Sequence, residues 1–364
     1  MTSDFPSSEP VLTVTKARGS VITLEDGRTL IDATTRNAIL GLSPTLIQLG
    51  IEAQAARLPH SFGEVLTAAP ATKLQGRLNT LLPGKRASIT PAGRFALDAA
   101  LAMAKAAHPG EIASFEGGAF AGDGAPLPLP RDEASATDLI AALQSRAQRL
   151  AGVVIEPLVQ PVAGVPFHSE ETLARVREIT FKCGVPLIVD ERFTGFGRLG
   201  VMFAHQAAEI DPDIVVLGDM LTGGTLPMGA VLASSAFAPD TSWGQPDTLT
   251  AAAANAFLDL YARENRLLAS NEIGKKLATE LGKCLKLPIV KDLRVRGALA
   301  VIELATPPDA AALKRQLRME GAHVAVCGQA IVLTPALTIV TKELHNLASA
   351  VFKVLKSLGS AGGA

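Results

Sequence analysis

Short, unbroken apolar runs punctuate the middle of the chain. Val153–Ile155, Pro186–Val189 and Ile214–Leu217 are rich in β-branched residues and too short for helices. Each is closed by an acid: Glu156, Asp190 and, one residue on, Asp219. Runs of this kind, separated by segments of helical period, predict parallel strands buried on both faces. In an open parallel sheet the ligand crevice lies beyond the carboxyl ends of the strands. Three carboxylates are therefore expected around one crevice.

The same reading extends along the chain. Val11–Thr15, Val21–Leu24 and Thr29–Asp32 read as a small meander, with a turn at Glu25-Asp26-Gly27-Arg28. Helical period covers Leu46–Arg57 and Ala71–Leu82. Arg86–Ile89 and Ile112–Phe115 read as strands, with an apolar helix between them reaching about Ala106. Gly117–Pro130 reads as loop. Helices are predicted over Thr137–Leu150 and Glu170–Cys183. After helices over Leu249–Arg266 and on to about Leu287, the pattern changes. Strands within Leu293–Leu304, a helix over Asp309–Glu320, strands at Val324 and Ile331, and a helix over Lys342–Leu358 predict a separate α+β unit. The predicted division is a meander over 1–45 packing with the small domain, a large α/β domain over 46–265, a small α+β domain over 266–358, and a disordered tail over 359–364. The fold class is α/β: a mostly parallel, doubly wound sheet with a smaller C-terminal α+β domain.

Composition narrows the function classes. In 364 residues, 48% are hydrophobic and the formal net charge is −1, with no long run of one sign; neither nucleic acid nor an acidic membrane surface is expected as a partner. Aromatic content of 4% argues against a stacking surface for single-stranded nucleic acid. Cys183, Cys284 and Cys327 lie far apart without metal-ligand spacing, and read as reduced thiols of a cytoplasmic protein. The segment MTSDFPSSEP reads as no signal peptide, and no apolar run is long enough to span a bilayer.

The segment from Gly184 to Gly229 carries a specific resemblance. Asp190, Glu191, Thr194, Gly195, Phe196, Gly197, Arg198 and Gly200, then Leu217, Gly218, Leu221, Thr222, Gly223 and Gly224, are similar to the core of the class III aminotransferases, nearest the diaminopelargonate aminotransferase branch. These are fold type I pyridoxal-phosphate enzymes. The resemblance implies that Asp190 faces the pyridine nitrogen, that Glu156 lines the substrate side, and that Phe120 stacks on the cofactor ring. It also implies that the helix start at Gly93 and Arg94 meets the phosphate, and that Arg192 stands where an aliphatic residue packs on the ring. Each has a plainer alternative: Asp190 and Glu156 as caps of following loops, Phe120 as core, Arg94 as a surface arginine.

The departures lie in the chemistry. Asp219 stands where the family carries its Schiff-base lysine. Ala92 replaces a phosphate-binding hydroxyl, Ala121 a histidine, and Ala325 an arginine for the substrate carboxylate. The neighbourhood of the partner-subunit phosphate contact, Ser242–Thr248, is shortened, and no residue there is assigned to it. Transamination needs an amine that forms an imine and shuttles a proton, and an aspartate cannot form one. Asp219, Asp190 and Glu156 are the candidate acid/base groups, and Gly93, Arg94, Phe120, Asp190 and Arg192 the candidate cofactor contacts. No covalently bound cofactor and no metal site are expected; non-covalent pyridoxal phosphate stays open. Three functions remain: a protein that binds or converts a small amino/carboxylate metabolite without a Schiff base, a non-catalytic partner of an active aminotransferase, or a pyridoxal-phosphate aminotransferase. The resemblance implies a homodimer, with a heterodimer as the alternative.

Overall fold

A computed structural model of the chain describes residues 11–35, 37–61, 66–237, 245–263 and 265–361. Strands β1 (Val14–Arg18), β2 (Val21–Leu24) and β3 (Thr29–Asp32) form the antiparallel meander. Helices α1 (Thr45–Arg57) and α2 (Ala69–Asn79) follow. Next come β4 (Lys85–Thr90), α3 (Gly93–Ala107), β5 (Glu111–Ser114), α4 (Glu133–Arg146), β6 (Leu150–Ile155), α5 (Glu170–Lys182), β7 (Leu187–Asp190), β8 (Ile214–Leu217) and β9 (Gly229–Ser234). Helix α4 starts four residues before the predicted helix because Asp132 and Ser135 make a reciprocal capping box. It ends at Arg146, and Leu150 already belongs to β6.

The main sheet has the order β4-β9-β8-β7-β6-β5. Strands β5 to β8 pair in parallel, and every residue of β6, β7 and β8 is buried. That double-sided burial is what the continuous apolar runs encode. The expectation of a mostly parallel sheet is qualified at one side, where β9 runs antiparallel to both β8 and β4. Between Leu217 and Gly229 the chain makes only a 3-10 turn (Asp219–Thr222), with no crossover helix. A connection that short returns a strand antiparallel.

The remaining elements are α6 (Thr248–Arg263), α7 (Arg266–Leu281), β10 (Val290–Arg296), β11 (Leu299–Leu304), α8 (Ala310–Met319), β12 (Ala322–His323), β13 (Ala325–Cys327), β14 (Ala330–Leu333) and α9 (Thr341–Ala361). A second sheet has the order β10-β11-β14-β13. The meander extends through β12, which pairs in parallel with β3. The tail expected to be disordered from Gly359 instead continues α9 to Ala361, with 362–364 outside the described residues. Helix propagation costs little once nucleated, and alanine favours it.

Two junctions tie these layers together. Arg198, wholly buried, donates from Nη1 to the carbonyls of Ala298 (3.1 Å) and Pro335 (2.6 Å) and from Nη2 to that of Thr35 (2.8 Å). Burial pulls its guanidinium down to about 9, so it stays charged at neutral pH. Gly297, at φ 53°, makes the turn beneath it; a Cβ there would meet the Gly200 nitrogen at 2.5 Å. At the second junction Arg294 donates to the Gly164 carbonyl (2.7 Å) and to Glu303 (2.7 Å). This pins the loop between β6 and α5 against the second sheet.

Candidate functional site

Strands β6, β7 and β8 lie side by side and deliver three acids to one end of the sheet. Glu156, Asp190 and Asp219 line a single crevice of about 250 Å³. Gly93, Arg94 and Arg192 line it too, as the sequence suggests. Asn37, Ala119, Pro161, Phe193 and Gly218 complete the wall. Of these Gly218 belongs to a recognisable motif; Asn37 arrives from a remote part of the chain and Pro161 on the loop that follows β6, and no local signal marks either.

Each acid has a defined environment. Oε1 of Glu156 accepts hydrogen bonds from the amides of Ala119 (2.9 Å) and Phe120 (3.2 Å), which hangs the glycine-rich loop after β5 on its carboxylate. Its main-chain carbonyl meets Nε2 of the buried His168 at 3.1 Å. Burial, and then the nearby charge of Asp190, push the Glu156 carboxyl above its ordinary range.

Asp190, at the end of β7, is clasped by Arg192. Nε donates to Oδ1 (2.8 Å) and Oδ2 (3.0 Å), Nη2 donates to Oδ2 (2.6 Å), and the Arg192 amide donates to Oδ1 (3.1 Å). Burial pulls the Arg192 guanidinium down, but its bonds to Asp190 and the charges of Asp190, Glu156 and Asp98 outweigh that and hold it above its ordinary value. The next residue, Glu191, points away from the crevice. It accepts from Thr194 Oγ1 (2.5 Å) and from the His205 amide (2.9 Å), with His205 Nδ1 also at 2.9 Å.

Asp219 opens the 3-10 turn after β8. Its Oδ1 accepts from the Gly93 amide (2.9 Å) and from the Met228 amide (3.0 Å). The Gly93 amide is the first of α3, whose N-cap, Ala92, supplies no side-chain cap. The carboxylate therefore satisfies a donor that the helix leaves open. Gly93 is required by close approach: a Cβ there would stand 2.8 Å from Gly218 Cα and 2.9 Å from the Asp219 nitrogen.

One sequence expectation changes. Phe120 does not line the crevice; its ring packs against the core formed by α3 and the sheet, and only its amide serves the site, through Glu156. Arg94 reaches the crevice lip but is exposed, with its guanidinium 4.5 Å from the centre of the Phe95 ring. Ala325 sits on β13 outside the crevice. The neighbourhood of the partner-subunit contact, Ser242–Thr248, lies partly outside the described residues.

Among the described residues the lining holds no lysine, histidine, cysteine or hydroxyl side chain. Lys182 and Lys275 lie on α5 and α7, paired with Glu178 (2.5 Å) and Glu272 (2.7 Å). Among the described residues, no group of three or more His, Cys, Asp or Glu is placed to hold a metal, and no helix is long and apolar enough to cross a membrane. Among the described residues the crevice offers carboxylates, guanidinium groups and the Asn37 carboxamide, and no amine, thiol or hydroxyl.

Comparison with known proteins gives a consistent picture. The family model for class III aminotransferases matches residues 123–355. The adenosylmethionine-8-amino-7-oxononanoate aminotransferase of Synechococcus elongatus is 28% identical over 407 residues, covering 95% of each chain. That of Buchnera aphidicola from Acyrthosiphon pisum is 29% identical over 224 residues, covering 58% of this chain and 52% of the relative. The chain thus spans about half the length of the Buchnera protein. Among solved structures, the same enzyme from Methanocaldococcus jannaschii superposes with a TM-score of 0.85 at 23% identity, covering 96% of this chain and 94% of that one. An amine transaminase from an uncultivated Pseudomonas species, in its PLP-bound internal aldimine form, gives 0.85 at 23% identity over 98% of each chain.

Proposed function

The chain belongs to the class III aminotransferase family, and we propose that it is a member that holds a small amino/carboxylate metabolite without a Schiff base and does not transaminate. One observation carries this reading. Asp219, where the family pattern has its lysine, is a carboxylate fixed between two backbone amides, and among the described residues no amine lines the crevice. The family works with pyridoxal phosphate, which supplies an electron sink to an amine-bearing substrate. The residues here do not fit that group. The Schiff-base amine is absent, the ring-nitrogen carboxylate is engaged by Arg192, and the first amide of α3 is engaged by Asp219.

What remains suits a zwitterion. Arg192, Glu156 and Asp219 all line the cavity, so a guanidinium and two carboxylates are offered to a ligand. A ligand carboxylate fits Arg192 and Arg94; an ammonium group fits Glu156 and Asp219. Glu156, with its raised pKa, is the group placed to hold or release a proton. The test has two parts. After incubation with pyridoxal phosphate and borohydride, mass mapping is expected to find no reduced adduct in the crevice; an adduct on a crevice lysine would restore the aminotransferase reading. Calorimetric titration with amino carboxylates of increasing chain length is expected to find a binder that Glu156→Gln and Asp219→Asn weaken, and a flat response across the series removes the ligand reading.

A second reading concerns assembly. Leu46 and Leu49 on α1 expose 42% and 53% of their surface, and α1, α2 and α6 border a groove of about 390 Å³. The exposed leucines of α1, with a neighbouring groove of mixed lining that includes Arg57, Lys73 and Asp259, support a dimer, formed with a second copy or with an active homologue. Sedimentation as a monomer at micromolar concentration counts against it.

A further inference from the structure

We infer that the crevice carries its own stand-ins for both charged ends of pyridoxal phosphate, Asp219 for the phosphate and Arg192 for the protonated ring nitrogen, so that the cofactor is excluded even as a non-covalent ligand. The inference rests on the functional reading above and extends it from covalent chemistry to binding.

An anion is stabilised at a helix N-terminus because free amides and the positive end of the helix dipole converge there. In this chain the first amide of α3 is already given to Asp219 Oδ1, together with the Met228 amide. The segment bearing Asp219 is pressed onto the helix start so closely that a Cβ on Gly93 would overlap Gly218 and the Asp219 nitrogen. A phosphate dianion there would have to displace a carboxylate that the same segment holds in place.

The opposite end is closed by the opposite charge. A protonated pyridine nitrogen needs a carboxylate acceptor, and Asp190 is the carboxylate at the crevice floor. Both of its oxygens are taken by the Arg192 fork. A bidentate guanidinium pair is stronger and more directional than the single bond a ring N–H could make. The Arg192 stem also packs on the segment that carries Asp219: a Cβ on Gly218, the residue before Asp219, would lie 3.2 Å from Cβ and Cγ of Arg192. The arginine stem thus fills space between the two charged contacts.

The test uses the intact protein. Pyridoxal phosphate is titrated to about 1 mM, with binding read by visible absorbance and by thermal unfolding. The wild type is expected to show neither saturable absorbance nor a rise in Tm. Asp219→Ser and Arg192→Val each remove one stand-in. The double variant is expected to bind at least about tenfold more tightly than either single one. Because a large change could unfold the chain, the size-preserving pair Asp219→Asn and Arg192→Gln is measured alongside it, with Tm confirming a folded state. Saturable micromolar binding by the wild type overturns the inference, and so does a folded double variant that binds no better than the wild type. If the wild type takes up the cofactor with no borohydride-stable adduct, this inference fails while the functional reading stands. If the cofactor is excluded and no amino carboxylate binds, the functional reading fails while this one stands.

Discussion

Arg192 and Arg198 stand on one loop and use the same guanidinium in opposite ways. Arg198 is wholly buried, meets no carboxylate, and spends its charge on three main-chain carbonyls from remote segments; burial pulls it down to about 9. Arg192 leaves 32% of its side chain exposed, pairs with a carboxylate two residues away, and is held above its ordinary value. The first arginine knits the layers of the fold together. The second edits a crevice and touches little of the scaffold. The contrast shows how the constraints on the fold and those on the crevice fall on different neighbours of the same loop.

The sharpest way to break that contrast is Arg198→Leu. It leaves the carbonyls of Ala298, Pro335 and Thr35 without their charged donor in a dry junction, with an expected loss of about 3–5 kcal/mol in urea unfolding. A loss under about 1 kcal/mol would mean that the junction does not depend on it. A smaller effect is expected from Arg192→Leu. The Asp190 carboxylate loses its fork but keeps an amide donor and partial access to water through the crevice, so stability should fall by about 1–2 kcal/mol with the unfolding transition still cooperative.

The smallest effect is one of pH. The Glu156 carboxyl is raised in the folded chain, first by burial and then by Asp190. The folded state therefore holds that proton more tightly than the unfolded one. The stability it contributes is fully present below the ordinary value of 4.5 and is lost as pH rises through the folded value. In Glu156→Gln a neutral amide keeps the Oε1 acceptor for Ala119 and Phe120. Stability curves measured from acid to neutral pH should therefore diverge in favour of the variant as pH rises, by less than either arginine change. Parallel curves would show that Glu156 titrates alike in both states.

The sequence makes the sheet legible because burial on two faces forces a continuous apolar run, and Leu187, Ile188 and Val189 have no polar alternation to confuse it. The acids at the run ends follow from the same logic. What pairs with them is less legible. That Arg192 folds back on Asp190 depends on a turn whose geometry the residue types alone do not fix, and that Asp219 reaches the start of α3 joins positions 126 residues apart. Phe120 reads as a stacking ring or as core with equal right, and the packing of α3 decides for core. The reversal of β9 is set by a connection too short for a crossover helix, a constraint of length that outweighs the strand's own composition.

The pairing of β3 with β12 has a consequence for how the chain is made. Ile31 and Asp32 of β3 pair with Ala322 and His323 of β12, nearly three hundred residues later in the chain. At about 5–20 residues per second, a ribosome takes roughly 15–60 s to supply that partner. During that interval the outer edge of β3 presents unpaired amides and carbonyls on a finished meander, a template for strand addition by any neighbouring nascent chain. Synthesis thus holds the first strands open until nearly the last have emerged, and shielding that edge becomes a task for the cell's folding machinery before the crevice exists at all.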